Sequence, residues 1–416
     1  MDKLSLYIHI PFCVRKCNYC DFLSSSCDDG TKQEYVEALC QEIKVRAEEY
    51  KEKIVDTIFF GGGTPSILSG EQMTKIMTVI RSSFQILPDA EISLEMNPGT
   101  VDRQKLETYK ELGINRLSIG LQSANNEELR ILGRIHTWEE FLQTWELVRE
   151  VGFTNVNIDL MSALPGQTLE SYRQTVEKVL ALKPEHISAY SLIVEEGTPF
   201  FDWFDEEANG GDSFAKEVPD YVKAKALPDE TADRSMYELT KRLLEEQGYY
   251  RYEISNYALK GYECKHNIGY WKRKEYLGLG LGAASLLSNV RYSNISDLQT
   301  YLEVGSEQML KNDEDCKKKQ IKENAEVQKW IEEQIKLSIT DQMEEFMFLG
   351  LRMMEGIRAT EFENQFGISL QEVYGVQINQ LIKQGLLAYH ETTERIALTK
   401  EGIDVSNRVF VEFMQE

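Results

Sequence analysis

The chain has 416 residues, with 69 acidic against 46 basic side chains and a formal net charge of −23 at pH 7. That length has room for two or three domains, and a 42% hydrophobic content supplies an ordinary core. So negative a balance argues against nucleic acid or an anionic membrane surface as the main partner. The opening Met1-Asp2-Lys3-Leu4 does not read as a signal peptide, and no apolar run reaches a membrane-spanning length. Seven cysteines, three of them clustered, suit a reducing cytoplasm better than a disulfide framework.

The first apolar run, residues 4–10, reads as a strand, and beyond it comes Cys13-Val14-Arg15-Lys16-Cys17-Asn18-Tyr19-Cys20. Cysteine thiolates are the usual ligands of iron–sulfur clusters, which normally take four. Three on one tight loop leave the fourth iron of a 4Fe–4S cluster without a protein ligand, open to the amino and carboxylate groups of S-adenosylmethionine. Two plainer readings compete: Cys17 and Cys20 as half of a zinc site, or as a redox pair. Zinc wants four ligands, usually as two separated pairs, and the next cysteines, Cys27 and Cys40, have no histidine between them at a matching spacing. A redox pair leaves Cys13 unexplained.

Further strand-like runs at 54–60, 91–96, 116–121, 155–161 and 186–194 alternate with helical periodicity at 34–50, 70–84, 103–112, 138–151 and 169–182. Six strands alternating with helices predict an α/β fold with a parallel sheet and helices outside. The count stops near six, so a partial (β/α)6 barrel fits better than a closed eightfold one. Chemistry in such folds gathers at the carboxyl ends of the strands.

Those ends carry Gly61-Gly62-Gly63-Thr64-Pro65, Glu95-Met96-Asn97-Pro98, Gly120-Leu121-Gln122-Ser123 and Asp159-Leu160-Met161. The glycine run lets the backbone approach a ligand closely, or is a simple tight turn. It is no Walker loop, since no Gly-Lys-Ser/Thr follows. A carboxylate, an amide and another carboxylate at successive strand ends could bind a polar ligand, or be solvated termini. Arg134 could meet a carboxylate or close a helix end. His9 reads as a buried, hydrogen-bonded strand residue.

Residues 200–229 are irregular and rich in Asp, Glu, Gly and Lys, as in a mobile loop, lid or connector. An amphipathic helix is expected over 235–247. Then come Tyr252-Glu253-Ile254-Ser255-Asn256-Tyr257-Ala258 and His266-Asn267-Ile268-Gly269-Tyr270-Trp271. Imidazole can ligate heme iron and the aromatics can stack on a porphyrin; the plainer reading is core or turn. Gly278, Gly280 and Gly282 lack the strand–helix context of a dinucleotide fingerprint, so close backbone packing explains them better. Residues 311–336, which include Cys316, read as a charged helix or linker. Helices at 342–354, 360–366 and 370–384 with a hairpin at 386–398 resemble a winged helix. Residues 341–416 hold thirteen acids against six bases, which is no footprint for DNA, so this unit reads as a packing or partner-binding module. The divisions expected are 1–234, a core barrel; 235–335, an α+β segment; and 336–416, a winged-helix-like domain.

The C-x3-C-x2-C spacing, with Tyr19 before its last cysteine, resembles the signature of the radical SAM superfamily. Residues 5–13, the glycine turn, residues 116–123 and residues 157–167 with their Leu164-Pro165-Gly166 resemble its coproporphyrinogen dehydrogenase (HemN-like) branch. The resemblance implies that Cys13, Cys17 and Cys20 hold the 4Fe–4S cluster. It also implies that Tyr7, Tyr19, Gly62, Gly63, Thr64, Glu95, Gln122, Arg134, Asp159 and Ile193 contact S-adenosylmethionine. The H-N-x-x-Y-W stretch resembles the heme motif of the HemW branch and implies heme at His266.

Coproporphyrinogen dehydrogenases have a longer amino-terminal arm and tend to carry a fourth cysteine. Here residues 1–3 alone precede the strand, and Phe22 stands at the cysteine position. Both departures point to the heme-chaperone branch, a resemblance that covers nearly the whole chain. It implies a cytoplasmic protein that binds heme and delivers it to acceptors such as respiratory enzymes. Peripheral membrane contact through an acceptor and a homodimer are both compatible with it. The alternative is an oxidoreductase that acts on a tetrapyrrole through a 5′-deoxyadenosyl radical.

Overall fold

The computed structural model describes residues 2–204, 218–314 and 326–414. Six strands, β1 (Lys3–Ile10), β2 (Ile54–Gly62), β3 (Gln85–Met96), β4 (Arg116–Gln122), β5 (Val156–Ser162) and β6 (His186–Ser191), lie side by side in sequence order, each pair parallel. Parallel strands covered on both faces are apolar throughout, and β4 is buried along its whole length. The intervening helices have one apolar stripe. In Gly70–Ser83 the buried residues are Met73, Ile76, Met77 and Ile80, the i, i+3, i+4, i+7 pattern of a single face. The same helix starts at Ser69, whose hydroxyl accepts from Gln72 N while the Gln72 side chain returns to Ser69 N. The expected α/β partial barrel is therefore the observed core.

The following segment continues the sheet at both edges. β7 (Tyr250–Arg251) and β8 (Asn256–Ala258) add antiparallel strands beyond β6. β9 (Tyr276–Leu279) pairs parallel with β1, and β10 (Ala284–Leu287), β11 (Val290–Asn294) and β12 (Ile331–Lys336) follow antiparallel, completing a 12-stranded sheet. Leu277, Leu279, Tyr301 and Trp330 share one buried core with Leu6 and Ile8.

Several sequence expectations shift. The first helix begins at Asp29, not 34, because Asp28 accepts from Thr31 N and caps it. Part of the charged stretch 311–336 is an edge strand, β12, rather than helix or linker; charge on its open face is what keeps such an edge from pairing further. The expected loop at 200–229 contains short helices Pro199–Phe204 and Asp220–Lys223. Residues 205–217 of that loop, and Cys316, lie outside the described residues.

The carboxyl-terminal unit packs helices Ile339–Gly350, Ala359–Phe366 and Leu370–Lys383 against a small sheet of β13 (Ile357–Arg358), β14 (Leu387–His390) and β15 (Arg395–Leu398). It has its own core around Phe362, Tyr374, Leu381 and Phe413. It docks on the sheet through Glu345, which accepts from Arg273 Nε and Arg291 Nη2, each at 2.6 Å. The Arg352 guanidinium lies over the Trp271 ring, 4.4 Å from its centroid.

Candidate functional site

The carboxyl ends of the parallel strands and the loop after β1 enclose a cavity of about 370 Å3. Its wall brings together Cys13, Cys17, Tyr19, Cys20, Gly62, Gly63, Thr64, Glu95, Gln122, Arg134, Asp159 and Ile193, residues scattered over nearly half of the chain. Asn97, Ser118, Gly120 and Tyr190 also line it, and sequence reasoning did not assign them; Arg15 and Lys16 bring two further basic groups to the same wall. The signal for three of them was strand parity: Ser118 and Gly120 alternate along β4, as Glu95 and Asn97 do at the end of β3. A wider depression of about 990 Å3, lined by Lys32, Lys75 and Lys105, lies over the outer helices away from the thiols.

Backbone hydrogen bonds fix the cysteine loop at both ends. Cys13 N donates to Ser25 O (3.0 Å), Asn18 N to Leu132 O (2.9 Å) and Cys20 N to Cys17 O (3.3 Å). Gly63 N and Thr64 N donate to Ile10 O and Phe12 O, both at 2.8 Å, which ties the glycine turn to the loop. A Cβ on Gly63 would come 2.7 Å from Phe12 O, so only glycine permits this approach. Gly62 has φ +110°, and a Cβ there would meet the His9 ring at 2.6 Å. The strand pairing of β4 with β5 slips between Gly120 and Gln122. Gln122 itself has φ +71°, rare for a side-chain-bearing residue. This bulge turns Gln122 into the cavity wall, a common use of bulges beside functional sites.

Beside the basic Arg15, Lys16 and Arg134, the wall holds two buried carboxyls that suit a cationic group. Removal from water, then the neighbouring Asp159 carboxyl, pushes Glu95 up to about 8, opposed by the Gly62 N–H at 3.2 Å. Burial also raises Asp159, although Asn157 Nδ2 donates to it at 2.7 Å and Ser118 Oγ at 3.3 Å. Two carboxyls that resist ionisation in a shared cavity gain most from a nearby positive group. The ammonium and sulfonium of S-adenosylmethionine are two such groups.

Burial pushes the Cys20 thiol up to about 11, so metal rather than solvent would draw off its proton. Among the described residues no three His, Cys, Asp or Glu side chains converge on a single metal ion. One zinc ion needs its sulfurs at about 2.3 Å from a common centre, whereas a cubane binds each cysteine at a different iron. Cys13, Cys17 and Cys20 line one cavity wall, which fits a group that would take each thiol at a different iron.

Two residues singled out from the sequence lie elsewhere. Tyr7 is not in the cavity wall: its hydroxyl and His9 Nδ1 are 3.0 Å apart, while His9 Nε2 bonds Leu23 O at 2.9 Å. Since a carbonyl only accepts, Nε2 carries the proton and Tyr7 donates to Nδ1. His9 is thus the buried, hydrogen-bonded residue expected.

His266, the second residue of the helix Lys265–Trp271, packs against β2 outside the cavity, 1% exposed and stacked on Phe59 at 5.1 Å. Its Nδ1 bonds Thr57 Oγ1 at 2.7 Å and its Nε2 bonds Tyr270 Oη at 2.9 Å. Burial, then the Arg116 charge, pushes it down to about 3, so it is neutral with both nitrogens engaged. In this conformation no imidazole lone pair is open to heme iron. The Gly-x-Gly-x-Gly turn is close packing: a Cβ on Gly278 would sit 2.0 Å from Ala284 O.

A model of the radical SAM superfamily matches residues 7–179, and one of the HemN C-terminal domain matches residues 337–405. Fold, cysteine loop and cavity together define a radical SAM protein. The chain is 36% identical over 410 residues to the heme chaperone HemW of Lactococcus lactis subsp. lactis (strain IL1403), covering 99% of this chain and 97% of that protein. It is 34% identical over 413 residues to the heme chaperone HemW of Bacillus subtilis (strain 168), with 99% of each covered. The chain belongs to the HemW family, and radical SAM membership implies a 4Fe–4S cluster and S-adenosylmethionine. Coproporphyrinogen III oxidase (HemN) from Escherichia coli superposes with a TM-score of 0.79 at 24% identity, over 99% of this chain and 90% of that one. At that identity the likeness is one of fold. No helix among the described residues is long and apolar enough to cross a membrane.

Proposed function

We propose that this chain is a cytoplasmic heme chaperone that carries a 4Fe–4S cluster with S-adenosylmethionine and hands heme to acceptor proteins, respiratory enzymes among them. The observation that carries this reading is the similarity to heme chaperones along the whole chain, at 33–36% identity. Cys13, Cys17 and Cys20 would hold the cluster. Gly62, Gly63, Thr64, Glu95, Gln122, Arg134 and Asp159 would surround S-adenosylmethionine, with Tyr19 and Ile193 also in the wall. When bound, the cluster supplies a low-potential electron to the sulfonium.

The chain's own residues bind and orient. Glu95 and Asp159 would ionise against the cofactor's positive groups, and Gln122 is aimed by its bulge. Tyr7 acts one layer back by holding His9 under Gly62. His266 would ligate heme after Tyr270 releases Nε2, a local opening of the helix Lys265–Trp271.

The test is anaerobic reconstitution followed by two arms: heme with an apo acceptor, and coproporphyrinogen III with S-adenosylmethionine and reductant. Heme should bind and pass to the acceptor, with no porphyrinogen consumed. Turnover of porphyrinogen coupled to 5′-deoxyadenosine would overturn the proposal.

A further inference from the structure

The hydrogen bonds of the cavity wall converge on Asn97, the residue directly after β3. Its Nδ2 donates to Thr64 Oγ1 at 2.8 Å, and its Oδ1 accepts from Arg134 Nη2 at 2.7 Å. Thr64 Oγ1 lies 3.3 Å from Cys13 Sγ, and Arg134 Nη1 donates to Cys17 Sγ at 3.6 Å. Five side chains thus form one unbroken arch, Cys13–Thr64–Asn97–Arg134–Cys17, between two of the three thiols.

The chemistry of the groups fixes the direction of each bond. An amide NH2 only donates, so the Thr64 oxygen accepts from Asn97 and its own hydrogen is left for Cys13. A metal-bound thiolate only accepts, so this polarity suits a ligated sulfur. On the other side, the Asn97 carbonyl and Gly120 O share one arm of the Arg134 guanidinium, which leaves the second arm for Cys17.

The keystone is itself held in place. Asn97 N donates to the Oγ of fully buried Ser66 at 3.4 Å, and Thr100 Oγ1 donates to Asn97 O at 2.6 Å. Gly120 is crowded by the same arch: a Cβ there would lie 3.0 Å from Asn97 Oδ1 and 3.3 Å from Arg134 Nη2.

We infer that Asn97 is a positioning residue for the cluster, fixing the hydrogen bonds received by the Cys13 and Cys17 sulfurs and thereby setting the cluster's reduction potential. Hydrogen bonds to cluster sulfurs stabilise the extra negative charge of the reduced state and raise the potential. The inference rests on Cys13, Cys17 and Cys20 being the cluster ligands.

Asn97→Ala removes both ends of the keystone without changing charge. After anaerobic reconstitution it should hold the parent's iron and sulfide but reduce at a more negative potential in an EPR-monitored titration. The expected change is about tenfold in the reduction equilibrium, or about 59 mV for one electron. Thr64→Val should shift the potential the same way by less, because only the Cys13 bond is lost. Adding it to Asn97→Ala should change little further, because the hydroxyl is already undirected. A loaded Asn97→Ala cluster at the parent's potential overturns the inference, as do single shifts that add in full. If Asn97→Ala assembles no cluster, Thr64→Val decides by the same readout, and an unshifted potential there overturns it. Failure of the parent itself to assemble a cluster would instead refute the ligand assignment.

Discussion

Glu42 offers a sharp test of how the barrel and its edge strands are joined. It lies on the helix Asp29–Ala47, fully buried, and accepts from Gly280 N (2.8 Å), Tyr301 Oη (2.6 Å) and Asn294 Nδ2 (2.6 Å). Burial outweighs these bonds and the Arg46 charge and pushes it from 4.5 up to about 7. The folded state therefore keeps a proton that the unfolded chain has released, so stability falls as pH rises from about 4.5 to about 7 and then levels. Between about pH 5 and pH 8 the loss is roughly 2–3 kcal/mol. Glu42→Gln keeps the volume and removes the titration. Its amide hydrogens would oppose the Asn294 amide, a constant cost of about 1 kcal/mol. The variant should thus be about level with the parent near pH 5 and more stable by roughly 2 kcal/mol at pH 8. Urea unfolding of both proteins by circular dichroism, read as their difference at each pH, cancels the other titrating groups. A gap that stays constant across this range would refute the reasoning.

Tyr270→Phe frees His266 Nε2, so heme affinity should rise severalfold in an absorbance titration; the gain should vanish in a variant that also carries His266→Ala, and no gain would place the heme ligand elsewhere. Gly280→Ala should destabilise by about 3 kcal/mol in urea unfolding, because φ is +102° and the new Cβ would meet His9 O at 2.6 Å. Glu345→Ala strips the carboxylate from Arg273, whose side chain is 5% exposed. It should cost about 3–5 kcal/mol at that contact, seen as faster amide exchange over residues 265–273 and 339–350 while β1–β6 stay protected.

Much of the site was legible because it depends on local chemistry and parity. The cysteine spacing, the glycine run and the polar residues ending β2 to β5 can be placed together once the strands are taken as parallel and in order, since every carboxyl end then faces one mouth. The joining of β7–β12 to both sheet edges was not legible. Short strands carry little periodic signal, and the charged face of β12 looks like linker until β11 pairs with it. The closed state of His266 was not legible for a related reason: the letters H-N-x-x-Y-W read the same whether the ring is open to a ligand or closed by Thr57 and Phe59, which lie some two hundred residues away.

By itself the sequence determined the alternation of strand and helix, the clustered thiols and the net negative charge, because periodicity, ligand spacing and charge are read from the residues without their packing. Only the tertiary structure decided that Asn97 joins Cys13 to Cys17, that Gln122 faces inward at a bulge, and that both His266 nitrogens are taken. Each of these turns on hydrogen bonds or registers between distant segments, whose geometry exists only once the chain has packed.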